Sequence, residues 1–557
     1  MWIFKFFVFC IFLIIWTSAE EEISLDIRQG TLKGLKATTV TNGKTYFSFK
    51  GIPYAQPNVG PNKFRAPEPP EPWQGVLDAT KHGSTCVFYC HIRQGLFGDE
   101  DCLFLNVYSP TIDKNARKAV IVFFHRGAFN SGSGDDDLFG PDFLIDDDVI
   151  LVTFNYRLGA LGFLSTNDAN APGNAGMKDQ VMALRWVKEN IQNFGGCPNK
   201  VTIAGVSVGS SSVHYHILSP MSKGLFKNAI MQSGTALGGY AISHNAKEMS
   251  FKLGEYLGIK TTDSAELVKK LTEFSAKQLV DATAEISNNN LNLLNGRMSA
   301  FVPVIEPQAG QEVFLPTDPW ELMKSGSFSD IPLIIGMTSD EMIFITKEIL
   351  PKADEINNHF ELFVPDSLNI TDDGKLKEIA ESIRKFYFDG KAFNSQSVSE
   401  FVKLTSDIYF TYGIAFVSQM MAAKNKQPIY EYLFTYNSPA GFVKNILKVE
   451  EPGVSDGDDL NYEFYSKYFN NKPEPGSTEE KMTKTFTKLW TNFAKNGNPT
   501  SKLDDDITVN WEPTGPEGNY MNINVPLKME KDLYKDRLNF WVNIYKDILG
   551  EHLKLFQ

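Results

Sequence analysis

Four short runs rich in β-branched and aromatic residues punctuate the N-terminal third of the chain: Tyr46–Lys50, Leu103–Tyr108, Ala119–Phe124 and Val149–Asn155. Their length and composition predict strands. The period then changes. From Asp179 to Asn193 the apolar residues Val181, Leu184, Val187 and Ile191 recur three or four positions apart, the spacing of one helix face. Val201–Ala204 reads as a buried strand, followed by a Gly-Ser turn and a helix over Ser211–Leu218. Further strands are predicted at Ile331–Ile335 and Tyr430–Phe434, and the polar region 240–300 reads as helices packed over a sheet. Strands alternating with helices predict an α/β fold, with a large, mostly parallel central sheet covered by helices on both faces.

The extreme N-terminus has a different pattern. Lys5 precedes an unbroken apolar stretch of eleven residues, Phe6–Trp16, and Thr17-Ser-Ala19 supplies small residues for cleavage. This is the form of a secretory signal over residues 1–19, and the stretch is too short for a spanning helix of about 20 residues. No later apolar run is long enough to span a membrane. Residues 20–557 show no repeat, low-complexity tract or long linker, so they are read as one large secreted domain. They carry no signal for oligomeric state.

Composition narrows the function classes. The 557 residues carry a formal net charge of −13, which argues against nucleic-acid binding, since neutralising phosphates needs surplus Lys and Arg. Aromatic residues make up 13 %, ample for a core and against disorder. In an oxidising compartment Cys102 is expected to pair with Cys86 or Cys90. Cys86, Cys90 and His91 have the residue types of a metal site, but no second ligand cluster follows, so neither metal nor cofactor is expected. Asn369-Ile-Thr371 is the one open N-glycosylation sequon, because Pro499 blocks Asn498.

Gly205-Val-Ser207-Val-Gly209 has the form G-x-S-x-G and lies between a predicted strand and a predicted helix. That context makes it a nucleophile turn: small flanking residues permit a sharp bend that exposes the Ser207 hydroxyl, and the helix start offers backbone N–H groups to an oxyanion. With this turn, several blocks resemble the type-B carboxylesterase and cholinesterase family of the α/β-hydrolase fold. They include Phe49-Lys-Gly-Ile-Pro-Tyr-Ala55, Glu100-Asp-Cys-Leu-Phe-Leu-Asn106, Asn155-Tyr-Arg-Leu-Gly159, Gly173-Asn-Ala-Gly176 and Phe194-Gly-Gly196. The overall look is most similar to insect secreted esterases. The resemblance implies a Ser–Glu–His triad, with Ser207 as nucleophile and Glu341, in Gly336-Met-Thr-Ser-Asp-Glu341, as acid. It places the oxyanion donors at Gly127, Ala128 and Val208. Arg126 then departs from the family's block by bringing a long cation where glycine leaves room and a permissive backbone. Val208 is expected to crowd the acyl oxygen.

The family's histidine block, roughly G-x-x-H-x-D-D/E-L-x-Y, matches Gly453-Val-Ser-Asp456-Gly-Asp458-Asp459-Leu-Asn-Tyr462, so Asp456 occupies the histidine position. His359 and His552, which follow Glu341, are read as surface residues. His125, His214 and His216 are read as packing and hydrogen-bonding residues. An ordinary Asp titrates near 3.9, roughly 2.6 units below His, and is a poor base toward a serine hydroxyl. Losing the triad histidine costs on the order of 10⁶ in turnover. The favoured expectation is therefore a family member with weak or absent esterase activity that binds a small apolar ester, a hydrophobic ligand or a protein partner. The alternative is an active serine carboxylesterase working through Ser207 on small apolar esters. Arg126 and Asp456 enter the same site and are expected to offset each other's charge.

Overall fold

The computed structural model describes residues 21–90, 94–287, 299–439 and 441–556; the segment 1–19 read as a signal and His91 lie outside the described residues. Its centre is a run of parallel strands: β5 (Lys118–Phe124), β6 (Ile150–Phe154), β7 (Gly196–Val206), β8 (Asn228–Gln232), β9 (Leu333–Thr338), β10 (Ile429–Phe434) and β11 (Asn519–Ile523). They lie in the order β6-β5-β7-β8-β9-β10-β11, each parallel to its neighbour. The edges are antiparallel. On one side β1 (Glu21–Ile27), β2 (Gly30–Thr38), β3 (Thr45–Pro53) and β4 (Phe104–Ser109) lead into β6, and on the other β12 (Lys528–Lys531) closes on β11.

The sheet divides two cores. On β5, Val120, Val122 and Phe124 join one, while Ile121 and Phe123 join the other. Strands buried on both faces carry nearly continuous apolar runs, as parallel strands under helices do. Helix α1 (Ala175–Asn190) lays Met177, Val181, Leu184 and Val187 on the first face, together with α2 (Val208–Leu218). On this side also pack α3 (Tyr412–Lys424) and α5 (Lys535–Ile544). Helix α4 (Thr478–Asn496) covers the opposite face with Met482, Phe486, Trp490 and Phe493.

The elements expected from the pattern are present with shifted ends. Helix α1 begins four residues before Asp179 and stops at Asn190, where Ile191–Phe194 tightens into a 3₁₀ turn closed by Gly195. Strand β7 extends well beyond Val201–Ala204 at both ends. In the region 240–300 the helices are Ala246–Tyr256, Ser264–Leu271 and Ala276–Ser287, and residues 288–298 lie outside the described residues. The disulfide is Cys86–Cys102, which takes Cys86 away from any metal site and leaves Cys90 and Cys197 as thiols.

Candidate functional site

The chain reverses sharply between β7 and α2, and Ser207 is the residue at the bend. Its φ of 57° and ψ of −123° form a strained pair for a residue with a Cβ. The bend is held from outside: the Ser207 amide donates to the Gln232 carbonyl at 2.8 Å. Gly209 is required by close approach, because a Cβ there would collide with the Phe124 carbonyl at the end of β5. The Ser207 hydroxyl has no hydrogen-bond partner among the described residues.

Gly127, Ala128 and Phe129 follow β5 and all have positive φ, 120°, 53° and 58°. The strain in this block therefore falls on Ala128 and Phe129, at about 1 kcal/mol each, whereas Arg126 has no positive φ and needs no glycine backbone. This revises the expectation that Arg126 is the backbone departure: what it changes is charge. The Gly127, Ala128 and Val208 amides have no intramolecular acceptor among the described residues, as oxyanion donors require. The Val208 side chain is buried in the main core and packs there.

Ser207 follows β7, Glu341 follows β9 and Asp456 lies beyond β10, so the three sequence-predicted residues come from the carboxyl-end side of one set of parallel strands. In open α/β sheets this end is where sites form. Glu341 is fully buried, its Oε1 accepts the Thr338 amide at 2.8 Å, and its carbonyl accepts the Asp456 amide at 3.0 Å. Burial first, and then the negative Asp456, push the Glu341 carboxyl well above the usual range.

Arg126 reaches across from the oxyanion block and donates from Nη2 to Asp456 Oδ2 at 2.6 Å. Its guanidinium lies against Gly457, leaving little space for a side chain there. Asp456 is 2 % exposed and its Oδ1 has no hydrogen-bond partner among the described residues. The charge offset expected from sequence is thus a direct ion pair. The loop around it is organised by its acidic neighbours. Asp458 accepts the amides of Val443, Lys444 and Ser455, and Asp459 Oδ2 accepts from Gln232 and Tyr432.

The histidines are accounted for elsewhere. His125 stacks on Tyr156 at 4.4 Å and donates from Nδ1 to the Arg126 carbonyl at 2.8 Å; burial pushes it down to about 4, so it is neutral. His214 accepts the Ala236 amide, and His216 bridges Ser222 and Gln180. Both are pushed down to about 3 by burial. His359 is exposed, with its ring beside Glu361. His552 is half-buried in the C-terminal turn rather than on the surface, because Leu553 and Leu555 beside it pack onto the core. Asn369 is exposed at the end of a short turn.

One residue near the site was not legible in the sequence. The Tyr240 ring is fully buried, and its hydroxyl accepts from the Thr235 amide and the Ser211 hydroxyl, both at 3.4 Å. Burial raises its pKa most, and the charges of Asp456 and Glu341 add to this. It sits in a loop with neither a strand nor a helix period, so nothing marked it.

Beside Asp456, the carboxyls of Glu341, Asp458, Asp459 and Glu463 are also buried here. Desolvation pushes Asp458 and Asp459 up to about 6, and raises Glu341 and Glu463 well above the usual range. A raised carboxyl pKa in the folded state favours folding at low pH. That stability is full below the unfolded carboxylate range near 4 and is lost as pH rises through about 6. Calorimetry should therefore give a melting temperature about 3–6 °C higher at pH 5 than at pH 7.5. The buried neutral His125, His214 and His216 act in the opposite sense, because their unfolded imidazoles protonate over the same interval. An equal or lower value at pH 5 would therefore mean that the histidines outweigh the carboxyls.

Comparison with known proteins adds an independent line. The family model described as the carboxylesterase family matches residues 21–541. A juvenile hormone esterase of Tribolium castaneum is 37 % identical over 539 residues, covering 90 % of each chain. Esterase FE4 of Myzus persicae is 38 % identical over 520 residues, covering 89 % of this chain and 87 % of its own. The crystal structure of juvenile hormone esterase from Manduca sexta, with OTFP covalently attached, superposes with a TM-score of 0.84 at 32 % identity, covering 94 % of this chain and all of that one.

Proposed function

Because this chain belongs to the carboxylesterase family, we propose that it is a secreted member whose ester hydrolysis is weak or lost and whose site binds an apolar ester, a hydrophobic ligand or a protein partner. The observation that carries this reading is the Arg126–Asp456 pair. A serine nucleophile needs a base with a pKa near the working pH. Asp456 stands in the histidine position with one carboxylate oxygen already committed to a guanidinium, and Glu341 behind it is held toward its protonated form. A carboxylate so engaged is a poor acceptor for the Ser207 proton.

The remaining parts support binding. Ser207 keeps its bend, and the amides of Gly127, Ala128 and Val208 would receive a carbonyl oxygen. The leader over residues 1–19 would direct the chain to the exterior, and no described helix is long and apolar enough to cross a membrane. There Asn369 would carry a glycan. The juvenile hormone esterases among the relatives make juvenile hormone the first ligand to assay.

The test is an assay with p-nitrophenyl acetate comparing wild type with Ser207→Ala. The proposal expects turnover of no more than roughly 10⁴ over water, as from binding and the oxyanion hole alone. Ser207-dependent turnover in the ordinary enzyme range of about 1–10³ s⁻¹ would establish the active esterase instead.

A further inference from the structure

Strand β10 contains one acid on its inner face. Ile429 and Leu433 point into the core on the side of α3 and α5, and between them stands Glu431, only 5 % exposed. A carboxylate on a central strand, with apolar side chains before and after it on the same face, is costly to bury unless its oxygens are satisfied. Only one is. Glu431 Oε2 accepts the Ser418 hydroxyl at 2.7 Å and the Thr514 hydroxyl at 3.3 Å, whereas Oε1 has no hydrogen-bond partner among the described residues. It is not sealed in either, because Glu431 lines a cavity of about 190 Å³ between α3, α5, the 515–518 loop and the C-terminal turn. None of the residues placed at the Ser207 site lines this cavity.

The walls are mixed: Phe416 from α3, Leu538 and Val542 from α5, and Leu555 and Phe556 from the C-terminal turn give apolar surface, with the amides of Gln419 and Asn539 among them. The other charged lining residues, Asp532 and Lys535, bond each other at 3.1 Å, so the cavity brings no free cation of its own to Glu431. Burial pushes the Glu431 carboxyl up to about 7, with the Ser418 and Thr514 hydroxyls opposing. A cation arriving there would therefore set its charge.

We infer that this cavity is a binding site for a small organic ammonium, its nitrogen held by Glu431 and its hydrocarbon body by Phe416, Val542 and Phe556. An aromatic wall at Phe416 also suits a cation. A neutral alcohol would supply the hydrogen bond without the charge, and an organic acid would meet repulsion, so the order among isosteric probes is fixed.

Titration calorimetry on the mature chain with benzylammonium chloride, benzyl alcohol and sodium benzoate tests this. Benzylammonium should bind at millimolar concentration or below, benzyl alcohol at least about tenfold more weakly, and benzoate not at all. Glu431→Gln should weaken benzylammonium by at least about tenfold, while Ser207→Ala leaves it unchanged. Should Glu431→Gln fail to fold, Ala415→Leu, which fills the space from α3, should abolish binding with the carboxylate intact. Benzylammonium giving no heat at millimolar concentration, binding both charge states of residue 431 equally, or binding undiminished by Ala415→Leu would overturn the assignment. So would loss of binding in Ser207→Ala.

Discussion

An Arg126→Gly/Asp456→His double variant should hydrolyse p-nitrophenyl acetate at least about 10³-fold faster than wild type, whereas Asp456→His alone stays within about tenfold. The asymmetry follows from the ion pair. Arg126 Nη2 lies at hydrogen-bond distance from the side chain at position 456, so a histidine placed there alone meets a fixed cation. The base of a serine triad must become imidazolium as the Ser207 proton leaves, and a neighbouring guanidinium opposes that form. Removing Arg126 lifts the opposition and leaves the ring facing Glu341, whose carbonyl already fixes the 456 backbone at 3.0 Å. A gain of 10³ corresponds to about 4 kcal/mol in the barrier, well within what a restored base supplies. Ser207→Ala in the double background should erase the gain. Full recovery from Asp456→His alone would show that Arg126 has no electrostatic hold on the site. Failure of the double variant would place the defect in the oxyanion block, where Ala128 carries positive φ.

The parts of the molecule legible in the sequence are those whose physics is local. Strands β5, β6, β7, β9 and β10 read as apolar runs because they are buried on both faces, whereas β8, with Asn228 and Gln232 at its ends, was missed. Ser207 was marked by a bend that only small neighbours allow. The antiparallel edge was legible only in part: β3 and β4 read as strands, while β1 and β2 were missed for the opposite reason. Strands β1 and β2 expose much of their length and show no unbroken apolar run. The Arg126 and Asp456 substitutions were each readable against the family's blocks, and their charges implied an attraction. That they bond directly depends on how β5 and β10 are spaced in the sheet. Spacing along the chain also left Cys86 and Cys90 equivalent as partners for Cys102, a choice the loop geometry makes. Glu431 was hidden by its own surroundings, one acid inside a run that otherwise predicts a buried strand.

The second large effect is on stability. Arg126→Ala should lower the free energy of unfolding at pH 7.5 by about 2–3 kcal/mol, and adding Asp456→Asn should restore most of it. Breaking a buried pair from one side costs about 3–5 kcal/mol, and the lower figure applies because Arg126 keeps a fifth of its side chain in water. The cost arises on the acid. Asp456 Oδ1 has no partner among the described residues, and without Arg126 its Oδ2 loses the bond that compensates burial beside Glu341. The asparagine carries no charge, so the double variant has no ion to desolvate, and its amide can donate toward the buried carboxyls. Denaturant unfolding of wild type, both single variants and the double variant gives the coupling directly. A coupling near zero would mean that the pair is a surface contact with no structural weight. A clearly favourable one would mean that the same bond that disables Asp456 as a base holds its loop in place, so that inactivity and stability here have one physical source.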